Sequence, residues 1–503
     1  MSFPELDVTA LWSSLAPYRF VILSASASIL LLVFANSYRK RLSSQRLPFA
    51  TLEGQDPLES WFKDGNKLIE EGLRRYAGPF QIQTGTGAKV IVRNCNTEAF
   101  AKSPAMSVAE ALRLDSFADY PGFEAARVSV HSSVIRDTLL RRLTPALDIL
   151  RPNLVKDAVD SIAHNFGDHD TWATVPIQPL VLDIVTKMSS RPFVGDYLCE
   201  DSKWLGIQKQ YAGLSFTAAS ELRKCIALLR PIKHWFLPSC VVLRQLVQDA
   251  RILVAAELKR RGQSEKESND AISWLQQEAH ISKVKVDVVA AQLQLSMVAI
   301  QTTSHILCHA VQHICQHKTF IEPLREEIVA VIGEHGWTKA GLYNLKLMDD
   351  FLKESLRITQ GRLAMARVCT SETVFADGSV VPKGAGCMLE ANFQEPTLYP
   401  QPEIFDLTRF ARLREREGKA QSWQYVSTSV RDLAFGYGIH TCPGRFFAAN
   451  VVKIALAHLL LKYDWSPGDD AVGENGLETE SIRLIDPEMR VSFKKVAGNH
   501  LPV

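Results

Sequence analysis

Late in the chain the sequence reads Phe435-Gly-Tyr-Gly-Ile-His-Thr-Cys442-Pro-Gly-Arg445 and then FFAANVVKIALAHLLLKY, a loop that runs into an amphipathic helical pattern. This order puts Cys442 at a helix N-terminus, with Pro443 in the first turn, where a missing N–H does no harm. The positive end of the helix favours the thiolate, so the cysteine is poised to bind a metal. Gly438 and Gly444 let the backbone turn sharply and pass close to a flat ligand, while backbone N–H groups aimed at sulfur tune its electron donation. Taken alone, a single cysteine is more commonly a buried core residue, so the loop must be weighed with what surrounds it.

Bulk composition removes several alternatives. Lys plus Arg number 57 and Asp plus Glu 55, a net +2. So even a balance provides no electrostatic footprint for nucleic acid. With 46% hydrophobic and 22% charged residues, the chain can bury a large core and is not disordered. The nine cysteines are odd in number, dispersed and without a CxxC pair, a pattern that suits a reducing compartment. It also lacks the clustered thiolates of an iron–sulfur centre, so any electrons must reach the protein from elsewhere.

Phe20 to Ala35 is a sixteen-residue run without a charge, preceded by Arg19 and followed by Arg39, Lys40, Arg41 and Arg46. Spanning a bilayer takes about 20 apolar residues, but Tyr38 and the flanking basic side chains reach the interface, and the endoplasmic reticulum bilayer is thin. The basic flank predicts a signal anchor with its C-terminal side in the cytosol. A cleaved signal is the competing reading; it lacks a small-residue cleavage pattern here.

Beyond a neck ending at Leu47-Pro48, the segment Pro79 to Val92 alternates apolar and polar residues around Gly85-Thr86-Gly87, predicting a β-hairpin. Two more hairpins are expected, Thr373 to Val381 around Asp377-Gly378 and Ile482 to Phe493 around Asp486-Pro487. From about Asp137 to Asp350 the apolar spacing is three or four residues, interrupted by Pro152, Pro192, Pro231 and Pro238, so successive helices are expected. The fold class is therefore mainly α with small β-sheets. No internal repeat or long linker divides the chain.

The spacing Phe435-x-x-Gly438-x-x-x-Cys442-x-Gly444 resembles the haem-binding loop of cytochromes P-450 at its Phe, Gly and Cys positions. The resemblance implies the cytochrome P-450 fold, haem b (iron protoporphyrin IX) as cofactor, and Cys442 as its axial thiolate. His440 stands where the family often has Arg, which implies a place near a haem propionate. Glu354-Ser-Leu-Arg357 resembles the family's ExxR pair. The stretch Pro402 to Phe410 resembles its second arginine motif, with Leu407 where Pro is more frequent, so that Arg409 completes a Glu354, Arg357, Arg409 structural network. In Leu363-Ala-Met-Ala-Arg367 the resemblance implies a strand over the haem, with Arg367 on a propionate and Leu363 and Ala364 on substrate. Arg136 is a second candidate propionate partner, and a solvated surface Arg equally.

Gln292 to Ser304 resembles the long family helix that crosses the haem. By motif position Ala299 matches the small residue of the dioxygen notch and Thr302 the catalytic hydroxyl. Ala299, Thr302 and Thr303 share one helical face. A threonine here can instead bond back to a helix carbonyl. Gln301 departs from the family, which often has Asp or Glu there to pass protons inward; an amide cannot ionise, so proton delivery is left to Thr302 with ordered water, or to another acid. His305, His309 and His313 recur every four residues, a spacing that can chelate zinc. Yet Ile306 stands where zinc proteases of this pattern need Glu, so these residues read as the continuing helix.

By resemblance the division is 1–18 a short leading segment, 19–38 the transmembrane anchor, 39–48 a basic neck and 49–503 the haem-thiolate catalytic domain. The implied activity is insertion of one oxygen atom of O2 into a hydrophobic small molecule. The implied partners are NADPH-cytochrome P-450 reductase, docking near Arg445, and cytochrome b5, at the endoplasmic reticulum membrane. Tyr425 to Asp464 is particularly similar to filamentous-fungal enzymes that oxidise terpenoids, ent-kaurene oxidases among them, which suggests secondary metabolism. Haem-thiolate isomerases and dehydratases, which need no reductase, and a non-enzymatic haem sensor are the rival classes; the presence of Thr302 argues against the first.

Overall fold

A computed structural model describes residues 47–263, 268–418, 421–468 and 477–496. The anchor expected over 19–38 lies outside them, and among the described residues no helix is long and apolar enough to cross a membrane.

The fold is mainly helical with small sheets, as the periodicity predicts. The helices that position the site are α1 (Pro57–Arg75), α2 (Thr144–Phe166), α3 (Ile177–Leu198), α4 (Ser202–Lys224), α5 (Pro238–Arg261), α6 (Val288–Gln316), α7 (Lys346–Thr359), α8 (Arg409–Glu417) and α9 (Arg445–Lys462). Among the described residues, five strands form the largest sheet in the order β1-β2-β8-β5-β3: β1 Phe80–Thr84, β2 Gly87–Val92, β3 Met106–Ser107, β5 Leu363–Cys369 and β8 Gly386–Glu390. A second sheet orders β4 (Ala173–Pro176), β12 (Arg490–Lys495) and β9 (Tyr463–Pro467), and two-stranded ribbons pair β6 (Thr373–Val374) with β7 (Val380–Val381) and β10 (Leu477–Thr479) with β11 (Ile482–Leu484).

The core explains why α6 and α9 are central. In α9 every residue from Val451 to Leu461 is buried, Lys453 and His458 included, so the amphipathic helix expected here is instead enclosed on all sides by the protein. Helix α6 starts where the Asp287 carboxylate accepts the Ala290 N–H at 3.1 Å, then runs 29 residues against α3, α4, α7 and α9.

Two of the three expected hairpins form, β1 with β2 and β6 with β7. The third does not. A turn does close at Asp486, whose main-chain carbonyl accepts the Met489 N–H at 2.9 Å. Its two arms then diverge: β11 pairs with β10, while β12 inserts between β4 and β9. Phe493 decides the destination, because it packs on Phe166, Tyr463 and Trp465 in the main core. Two of the four expected proline interruptions are also corrected, since Pro152 lies inside α2 and Pro192 inside α3. The break in α3 comes at Gly195 instead, with φ 81° and ψ 179°.

Candidate active site

The loop before α9 folds back on itself so that Cys442 meets its own beginning. The Cys442 N–H donates to the Phe435 carbonyl at 2.8 Å, and Phe435 is anchored edge-on to Tyr425 at 5.7 Å. Gly436 (φ 71°) and Gly438 (φ 74°) make the turns, in the left-handed region that side chains disfavour. Gly444 takes an ordinary backbone at the cap of α9, φ −90° and ψ 1°, so Gly436, unremarked in the sequence, does the turning expected of it. The N–H groups of Gly444 and Arg445 point at the Cys442 sulfur. Burial pushes this thiol up, and those two amides and the Arg445 charge work against it. A bound metal would deprotonate it outright. Arg445 itself bends back, donating to the Cys442 carbonyl at 2.9 Å.

Helix α6 buries most of its length, yet Val298 and Thr302, one turn apart, are exposed and Ala299 is half-buried. Thr303 is 1% exposed, so the expected common face divides: Thr302 faces outward and Thr303 faces the core. The Thr302 hydroxyl donates to the Val298 carbonyl at 2.6 Å. This back-bond spends its proton and leaves its oxygen lone pairs available as acceptors. Gln301 is half-buried, turned about 100° around the helix from Thr302.

Strand β5 runs past with Leu363 and Ala364 half-buried, and its register against β8 shifts between Ala364 and Arg367. Arg367 is 5% exposed. Its Nη1 donates to the Ala366 carbonyl at 2.8 Å, its Nε has no partner, and burial pushes its pKa down to about 10. Exposed His440 and Arg136 lie close enough that His440, already lowered by burial, is lowered further by both arginines. Two guanidiniums and an imidazole thus share one place, where the sequence left Arg136 open between this and a solvated role.

These observations fit haem b. An orphaned buried guanidinium beside a second guanidinium and an imidazole suits peripheral carboxylates, and a sulfur with two N–H donors suits an axial thiolate on iron.

Behind the loop, Glu354 is fully buried and receives Arg357 Nε and Nη2 at 2.8 and 2.9 Å, Arg409 Nε at 2.9 Å and the Asp406 N–H at 3.1 Å. Arg357 reaches the Phe393 carbonyl, and Arg409 those of Pro400, Gln401 and Ile404. The expected three-residue network is complete. A second buried tie was not legible in sequence: Lys353 of α7 pairs with Asp432, which also accepts the Ala434 N–H just ahead of Phe435.

The histidine row continues α6, as read from sequence. His305 and His309 Nε2 atoms lie 3.1 Å apart, but His313 Nδ1 faces Ser355 Oγ at 2.9 Å, and among the described residues no three His, Cys, Asp or Glu side chains converge as a metal site.

Comparison with known proteins agrees with this geometry. The family model described as cytochrome P-450 matches residues 130–493. The chain is 34% identical over 501 residues to the cytochrome P-450 monooxygenase bsc11 of Alternaria brassicicola, covering 95% of this chain and 96% of that one. It is 32% identical to adrA of Penicillium rubens, covering 90% and 93%, also a cytochrome P-450 monooxygenase. Among solved structures, retinoic-acid-bound cyanobacterial CYP120A1 superposes with a TM-score of 0.66 at 17% identity, over 90% of this chain and 99% of that one, a likeness of fold. Dioxygen, a redox partner and a small-molecule substrate follow from this kinship, and the chain belongs to the cytochrome P-450 family as a haem-thiolate monooxygenase that uses haem b.

Proposed function

We propose that Cys442 is the axial ligand of the haem, that Phe435, Gly438 and Gly444 shape its loop, and that Arg367, His440 and Arg136 hold the propionates. The observation that carries this reading is the Cys442 sulfur with the Gly444 and Arg445 N–H groups aimed at it. When bound, haem supplies reductive activation of dioxygen, with electron donation from the thiolate. The chain's own residues do the rest. Ala299 leaves room beside Thr302. The Thr302 oxygen, its proton committed to Val298, accepts a hydrogen bond from a water or other proton carrier and holds it in place. Leu363 and Ala364 offer apolar surface to substrate. Gln301 orients water without titrating. Glu354, Arg357 and Arg409 hold α7 to the loop that precedes α8, a structural role.

The substrate is an apolar small molecule of terpenoid type in fungal secondary metabolism, on the likeness of Tyr425 to Asp464 to enzymes of that kind. Residues 49–503 act as one catalytic domain. The uncharged run Phe20 to Ala35 with its basic flank anchors it to the endoplasmic reticulum membrane, cytosol-facing. A second surface supports a membrane location: Ile226, Leu228, Ile232, Trp235 and Phe236 are all more than half exposed between α4 and α5. NADPH-cytochrome P-450 reductase, with cytochrome b5, supplies electrons on the Cys442 side near Arg445.

The deciding experiment is spectral. Reduced protein with carbon monoxide shows the red-shifted Soret band of thiolate ligation, and Cys442→Ala abolishes it; persistence of the band would assign the ligand elsewhere. In the same preparations, Thr302→Ala keeps the band but lowers product per NADPH and raises peroxide release, by about a hundredfold in coupled turnover if no water replaces it. Unchanged coupling would remove Thr302 from the chemistry. Full-length protein stays with membranes through an alkaline carbonate wash, and release into the wash would refute the anchor.

A further inference from the structure

Behind the thiolate loop stands a tyrosine whose hydroxyl has no use in the fold. Tyr425 is fully buried, and its hydroxyl finds no hydrogen-bond partner among the described residues. Buried polar groups are normally satisfied, because a hydrogen bond left unmade inside a protein is not replaced by one to bulk water. The residue is nevertheless held firmly. Its N–H donates to the Asp349 carboxylate of α7 at 2.7 Å, and the other oxygen of that carboxylate pairs with Lys453 of α9 at 2.7 Å. Tyr425 is thus pinned between the helix that carries Glu354 and the helix that follows Cys442.

The ring fixes where this hydroxyl can act. It stands edge-on to Phe435, with the planes at 81° and the centroids 5.7 Å apart, and the Phe435 carbonyl takes the Cys442 N–H at 2.8 Å. Cys442 packs on the same apolar cluster as both rings. Burial first, then the charges of Asp349 and Cys442, push the phenol's pKa up, so the hydroxyl stays protonated and lies within electrostatic reach of the sulfur. It is therefore a donor. A thiol sulfur accepts hydrogen bonds only weakly. A metal-bound sulfur is deprotonated outright, and as an anion it is a much stronger acceptor. That difference accounts for a hydroxyl left unpartnered beside a thiol whose own burial favours the protonated form.

We propose that the Tyr425 hydroxyl is a third donor to the Cys442 thiolate, beside the Gly444 and Arg445 N–H groups, reaching it directly or across one enclosed water, and that it moderates the electron donation of sulfur to iron. This rests on Cys442 as the axial ligand, as assigned above. Tyr425 acts through Cys442, so it is a positioning residue for the reaction. Each donor draws charge away from the sulfur and favours the reduced iron, so the phenol helps to set how readily the first electron enters.

The test is a redox titration of full-length detergent-solubilised holoprotein, wild type against Tyr425→Phe, which removes only the hydroxyl. Wild type must first show the red-shifted carbon monoxide band; without it the assignment of Cys442 fails whatever Tyr425 does. Given that band, Tyr425→Phe makes the iron about tenfold harder to reduce, a potential lower by about 59 mV for one electron. The stretching frequency of carbon monoxide on the reduced iron falls with it, since a less restrained thiolate feeds more charge through the metal. Tyr399→Phe is the control. It removes another buried hydroxyl, whose partner is the Arg431 carbonyl at 3.3 Å, and leaves potential and frequency in place. A potential and frequency unchanged in Tyr425→Phe, or moved equally by Tyr399→Phe, would overturn the proposal and return Tyr425 to the scaffold. Should Tyr425→Phe not retain haem, 3-fluorotyrosine introduced at position 425 decides the matter: its more acidic hydroxyl donates more strongly and raises the potential, and an unmoved potential refutes the contact.

Discussion

Two groups of arginine, one around Glu354 and one around Arg367 of β5, are satisfied in opposite ways. Around Glu354 the set is closed: one carboxylate takes two guanidiniums, and carbonyls of Phe393, Pro400, Gln401 and Ile404 absorb the remaining donors. Around Arg367 it is open, with Nε unpartnered at 5% exposure and Arg136 near enough that the two guanidiniums together hold the His440 imidazole's pKa down. Burying charge is tolerated where partners compensate desolvation. The first set therefore reads as scaffold. The second reads as a site shaped for an anion that the polypeptide does not supply, and the propionates of haem have that chemistry.

The largest expected effect comes from opening the closed set. Glu354→Ala leaves two buried guanidiniums without their carboxylate, a loss of about 3–5 kcal/mol, enough to unfold an ordinary domain of marginal stability. No haem-loaded protein is expected, read from the carbon monoxide spectrum and the urea midpoint. A near-normal midpoint would mean that the carbonyls alone satisfy Arg357 and Arg409, and the contrast between the two sets would collapse.

Emptying the open set has the opposite signature. Arg367→Met removes a buried charge without a partner and keeps much of the side chain's volume, so the haem-free chain is unchanged or slightly more stable. Haem is lost to an apo-globin acceptor about tenfold faster, as one charge-assisted contact is removed. Slower or equal loss would place the propionates elsewhere. A destabilised haem-free chain would move Arg367 into the scaffold.

The two sets were unequally legible in sequence for a physical reason. Glu354 and Arg357 are three residues apart on one helix, so their meeting follows from helical geometry, and Arg409 could be added from its motif. The thiolate loop was legible because turning glycines, proline and a helix start are local signals, although Gly436 and not Gly444 has the positive φ. What failed was partner choice at a distance. The pattern of Ile482 to Phe493 carries two strands correctly but not that β11 turns back to β10 while β12 joins β4 and β9. Lys353 with Asp432, 79 residues apart, and Arg223 with Glu480, 257 apart, leave no local trace at all. Thr302 and Thr303 could not be separated by spacing, because which of two adjacent residues faces the core depends on the helices packed around α6.

Histidine gives a third way to bury an ionisable group, neutral, and with it the smallest expected effect. His458 of α9 is 5% exposed and stacked on Trp337 at 4.7 Å, and burial pushes its pKa down to about 4. Burial likewise takes His313 to about 3 and His309 to about 2. In the unfolded chain each imidazole titrates near its ordinary value of about 6.5. Below that pH the unfolded chain binds protons that the folded protein refuses, so stability falls as pH drops, and the loss from each group continues until its folded pKa is passed. Stability contributed by keeping these rings neutral is thus fully present above about pH 6.5 and is lost on acidification. His458→Phe keeps the stack on Trp337 and removes one such group. The fall in unfolding free energy between pH 6.5 and pH 5, followed by urea denaturation, is then shallower than in wild type by about 1 kcal/mol. Parallel curves for the two proteins would show that His458 takes up a proton in the folded state near its ordinary pKa, with water reaching α9 where the packing excludes it.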